Sequence, residues 1–99
     1  MVRIIWTELA ASELNEIFEF ISLDSKLYAR RQIIRIRNKT KILKSSKYIG
    51  KQVDEIGIAV IRELTEGNYR IIYKVLNEKE ISILTIHHSS RDLTIRQLE

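Results

Sequence analysis

A chain of 99 residues has room for one domain with one main core, and the lack of cysteine excludes a disulfide framework, a thiolate zinc site and a cysteine nucleophile. Its 44% hydrophobic and 30% charged residues are ordinary for a globular domain and exclude a disordered chain. The net charge of +4 hides an asymmetry: residues 25 to 53 hold ten of the seventeen basic side chains and no acidic one, a field that suits a polyanion or an acidic protein partner and equally serves solubility.

The chain begins with Val2-Arg3-Ile4-Ile5-Trp6, a β-rich stretch that predicts a short first strand, with Trp6 as its core anchor. This apolar start is far too short for a signal peptide, and no later run approaches the ~20 residues of a membrane span, so a cytoplasmic protein without a membrane partner is expected. Thr7 follows as a helix N-cap, with Glu8 and Glu13 favourably near the helix start. Leu14, Ile17, Phe18 and Ile21 keep helical spacing while Glu13, Glu16 and Glu19 fall elsewhere, which predicts an amphipathic helix with an acidic exposed side. Asp24-Ser25 interrupts the pattern before a second helix through Ala29, Ile33, Ile36, Thr40 and Leu43, whose exterior is basic. Two amphipathic helices with so short a break form an antiparallel hairpin.

Residues 45 to 57 read as a loop in which Gly50 is available for a positive φ. Three strands follow, at residues 58 to 64, 69 to 76 and 80 to 87, joined by hairpin-length connections rich in Gly and Asn. The predicted architecture is a single α+β domain over residues 1–99, of order β-α-α-β-β-β. Its helical hairpin packs on one face of a small, mainly antiparallel sheet, and the other face is left as a candidate site. Tyr69, Ile71, Tyr73 and Val75 share one side of their strand, so Arg70 looks out from the opposite one if the tyrosines face the helices. Adjacent His87 and His88 point to opposite faces and cannot chelate one metal together; the apolar character of both ribbons leaves their faces unassigned. No cofactor or metal motif is present in the sequence.

Several of these segments together resemble one family. Trp6-Thr7 entering an amphipathic helix, Ile61-Arg62-Glu63-Leu64, Tyr69-Arg70-Ile71-Ile72-Tyr73 and the ending His88-Ser89-Ser90-Arg91-Asp92 resemble the RelE/ParE superfamily of bacterial toxins over nearly the whole chain. Gly50-Lys51-Gln52-Val53 and the His-x-x-Arg-Asp ending resemble the ParE branch most. The resemblance implies a cytoplasmic toxin of a type II toxin-antitoxin module, assembled into a hetero-oligomer with an antitoxin whose tail wraps and neutralises it. It further implies DNA gyrase as target, as for ParE-type toxins, or messenger RNA in the ribosome, as for RelE-type toxins.

RNA cleavage through the 2′-hydroxyl needs a base, a proton donor for the leaving oxygen and cations for the charged transition state. Arg70 matches the conserved strand arginine of the RelE family, His88 supplies an imidazole that titrates near neutrality, and Glu55 or Asp54 supplies a carboxylate base. Arg62, Arg70, His88 and Arg91 then form the candidate functional surface. Two departures point away from a nuclease: Glu63 stands where that family carries lysines, and nothing aromatic follows Tyr73. Structural roles compete for the same residues, namely pairing of Arg70 with Glu63 or Asp92 and of Arg62 with Glu80 or Glu55.

Overall fold

The computed structural model describes residues 2–88. In chain order they form β1 (Arg3–Trp6), α1 (Glu8–Ser22), α2 (Lys26–Lys41) with a 3-10 turn at Ile42–Lys44, β2 (Lys51–Gln52), β3 (Ile61–Glu66), β4 (Tyr69–Asn77) and β5 (Glu80–His88). The class is α+β, with the helical hairpin over a mainly antiparallel sheet. Among the described residues the sheet has five strands rather than four, in the order β1-β5-β4-β3-β2, and only the β1–β5 pair is parallel. The extra strand lies within the stretch expected to be loop; at two residues, β2 is too short to carry an alternating pattern. β3 starts at Ile61 instead of residue 58, because the Ile61 N–H turns back to the Ile58 carbonyl at 3.0 Å before the ladder begins.

Local chemistry sets the helix starts. The Thr7 hydroxyl accepts the Ala10 N–H at 3.0 Å and also lies 3.0 Å from the carbonyls of Ile83 and Leu84, so one side chain caps α1 and moors it to β5. Ser25 accepts the Tyr28 N–H at 3.1 Å and starts α2. Ala10 and Leu14 of α1 and Ala29 and Ile36 of α2 are buried. Ala10, Leu14 and Ile36 close the main core against Leu64, Ile71, Tyr73, Val75, Ile81, Ile83 and Ile86. The tyrosine face of β4 therefore packs on the helices.

The opposite face is not open, as the sequence pattern had implied. Val53, Ile56 and Val60 fold across it and complete a second, smaller core with Ile61, Ile72 and Leu84. A bulge makes both cores possible: Ile72 pairs with Thr85 but Tyr73 pairs with Ile83, leaving Leu84 as an extra residue on β5. The extra residue resets the alternation, so Ile83 and Ile86 both enter the main core while Leu84 enters the second. At the β3–β4 turn Gly67 holds φ at +60° while its partner Asn68 stays negative, the pattern of a type II′ hairpin.

Candidate functional site

Arg70 projects from the β4 face opposite the helices, where it meets two carboxylates. Its Nε and Nη2 donate to Glu63 of β3 at 2.6 and 2.9 Å, and its Nη1 and Nη2 donate to Glu55 at 2.8 and 3.0 Å. The side chains of Arg70 and Glu63 are only 12% and 4% exposed, so this clasp is largely withdrawn from water. The hydrogen bonds it donates to Glu55 and then Glu63 raise the guanidinium pKa above its ordinary value, against the opposing effect of burial. A cation held in two bidentate pairs has little left to offer a phosphate. Lys51, Asp54 and Thr65 complete the rim of the shallow pocket above it.

Arg62 lies on the other face. Its register partner is Tyr73, whose side chain belongs to the main core, and its guanidinium donates to the carbonyls of Ala59, Gly50 and Tyr48 at 3.0, 2.8 and 3.4 Å while lying 5.0 Å from the Tyr48 ring centre. The anticipated bridges to Glu80 or Glu55 do not form, since Glu80 pairs with Arg3 and Glu55 with Arg70. The carbonyls that hold Arg62 belong to segments packed around Tyr73. The Tyr73 hydroxyl donates to the Lys47 carbonyl at 2.8 Å and accepts the Gly50 N–H at 3.0 Å. A Cβ on Gly50 would stand 2.5 Å from the Glu63 carbonyl oxygen and 2.8 Å from the Tyr73 ring. Close approach, and not the positive φ suggested by the sequence, is why glycine is needed there. Gly50-Lys51-Gln52-Val53 is thus one device: Gly50 slides beneath Tyr73, β2 pairs with β3, and fully buried Val53 plugs the second core.

His87 and His88 separate as alternation requires. His88 stands across from Tyr69, with ring centres 6.0 Å apart in an edge-on contact, whereas buried His87 stands across from Arg70. Of the residues expected to act together, Arg70 and Glu55 meet, Asp54 lies on the same rim, and His88 and Arg62 sit with the tyrosine face. Arg91, and Asp92 as a partner for Arg70, lie outside the described residues. Among the described residues no group of three or more His, Asp or Glu side chains is placed to hold a metal.

Glu13 was expected on the exposed side of α1 and is instead buried. Its carboxylate accepts the Thr85 hydroxyl and, at 3.0 Å, the Ile86 N–H, just beyond the β5 bulge, and so satisfies two buried donors. Only the position of Glu13 beside the buried stripe of α1, next to Leu14, could have signalled it.

The amino-acid sequence matches the family described as ParE toxin of type II toxin-antitoxin system, parDE, over residues 4–93. No curated protein matches it. Among solved structures, a chain of the chromosomal ParDE TA system from P. aeruginosa superposes with a TM-score of 0.72 at 25% identity, covering 89% of this chain and 96% of that one.

Proposed function

The chain belongs to the ParE toxin family of type II toxin-antitoxin systems, and from that premise we propose that it acts by binding and inhibiting DNA gyrase, without catalysing RNA cleavage, and is silenced by a cognate antitoxin. The observation that carries the non-nuclease reading is the state of Arg70. To stabilise a pentavalent phosphate it would have to leave two carboxylates that hold it in a largely dry site, and those carboxylates would repel the same phosphate. His88, the proton donor a cleavage mechanism would call on, stands on the other side of the sheet, beside Tyr69. The lack of an aromatic residue after Tyr73 supports the same reading.

The test compares two activities of the purified chain. It should block supercoiling of relaxed plasmid by gyrase, and the block should be relieved by the product of a short reading frame adjoining its own. Message translated in its presence should remain intact. Cleavage of that message within the ribosomal A site, lost in His88→Ala, would replace this reading with the RelE-like endoribonuclease.

A further inference from the structure

The turn that joins α1 to α2 carries apolar side chains that the fold does not use. Phe20, in the last turn of α1, and Leu23, which caps that helix, are 72% and 82% exposed, more than any other large apolar side chain among the described residues. Leu27 and Tyr28, in the first turn of α2, are 58% and 55% exposed. The buried stripe of the hairpin is complete without them, since Leu14 and Ile17 of α1 and Ile33 and Ile36 of α2 already meet the main core. A single exposed leucine is ordinary; four large apolar side chains within nine residues make a patch, and such a patch marks a surface of interaction.

The charges around the patch say what would cover it. On α1, Glu16 and Glu19 stand one helical turn before Phe20 and Leu23; on α2, Arg30 and Arg31 stand one turn after Leu27. All four are exposed, and among the described residues none of them stands in an ion pair within 4.0 Å. The apolar centre is thus flanked by an acidic half on one helix and a basic half on the other. A nucleic acid would meet the acidic half with like charge, and a uniformly acidic or basic protein would be repelled by one half. A second copy of the chain answers both. A twofold axis lying in the contact plane and running between the helices lays the acidic half of each copy on the basic half of the other, with the apolar side chains in the middle. The twofold axis at right angles to it sets like charge on like and is disfavoured.

We propose that the end of the helical hairpin is a self-association surface, through which two copies of this chain pair with Leu23 and Leu27 at the centre and with Glu16 and Glu19 of each copy facing Arg30 and Arg31 of the other. A patch of this extent lies at the low end of specific interfaces, so the pair forms and separates with concentration. Nothing in the inference depends on the target of the toxin.

Sedimentation equilibrium of the full chain over a concentration series should give a monomer–dimer equilibrium with a Kd on the order of 10 μM, weakening as salt rises. Leu23→Ser with Leu27→Ser alters side chains already exposed in the single chain, so the fold is kept while Kd rises by about 10-fold or more. Ile58→Ser, at a half-exposed position ahead of β3, should leave Kd within about 2-fold. Glu16→Lys with Glu19→Lys, and Arg30→Glu with Arg31→Glu, should each abolish self-association, because like charges then face each other across the twofold axis. Mixed in equal amounts, these two variants should associate at least as tightly as the unaltered chain, since the mixed pair restores opposite charges at both contacts. A chain still monomeric at about 200 μM, a dimer indifferent to Leu23 and Leu27, or a mixture no tighter than its components would each overturn the proposal. A monomeric chain whose Leu23→Ser, Leu27→Ser variant loses inhibition of gyrase, or capture by the neighbouring gene product, would give the patch to that partner instead and overturn it equally.

Discussion

At the scale of single residues, the protein uses its most conspicuous polar groups to hold itself together. Arg70 ties Glu55, in the segment that crosses the sheet, to Glu63 on β3. Breaking a largely buried ion cluster by removing its cation leaves two carboxylates facing each other. Arg70→Ala should therefore cost about 3 kcal/mol or more in denaturant unfolding, and adding Glu63→Gln should restore part of that loss. A cost below about 0.5 kcal/mol would mean that the clasp is not structural. Tyr73 supplies the second residue-scale case. Burial raises its phenol pKa above the ordinary 10.0, partly offset by the Gly50 hydrogen bond. An acid whose folded pKa exceeds its unfolded one keeps its proton longer when folded, so stability is complete below pH 10 and declines as pH rises beyond it. In Tyr73→Phe the late phase of phenolate absorbance should shrink and the alkaline decline of stability should flatten.

At the scale of elements, what holds the helical hairpin in place is not its apolar stripe alone. Glu13 reaches from α1 to β5 just beyond its bulge, and Thr7 caps α1 while its hydroxyl lies on carbonyls of the same strand. Glu13→Ala strands a buried N–H and a hydroxyl, which should cost about 1–3 kcal/mol and speed hydrogen exchange at the Ile86 amide. Unchanged exchange there would refute the role. Periodicity made both helices and their caps legible, along with β4, β5 and the grouping of the tyrosines on one face, whose packing against the helices it left as a condition. The bulge was not legible, because a single inserted residue resets alternation without leaving a signal in an all-apolar ribbon; that is why the histidine faces could not be assigned. Glu13 was missed for a related reason: helical spacing places it next to the core, while its charge argues for solvent, and the partner that decides between them is 72 residues away.

At the scale of the whole molecule, fold and family were legible because several short segments occur together in order, although each is weak by itself. The grouping of candidate site residues was legible only in part: the anticipated pairing of Arg70 with Glu63 forms and Glu55 joins it, whereas the place of His88 and Arg62 depends on which sheet face each side chain takes. Motif order cannot tell that Arg70 answers two glutamates while His88 leans on Tyr69. Nor does it reveal the parallel docking of β1 on β5. That docking joins the two ends of the described chain, with Arg3 beside Glu80 and Trp6 beside Ile83. β5 is therefore as indispensable as β1: a product cut short before Glu80 has no neighbour for β1, no moorings for Thr7 and no partner for Glu13. A cell that must escape such a protein needs no lesion in a binding residue, since one frameshift ahead of Glu80 removes β5 and leaves β1 unpaired.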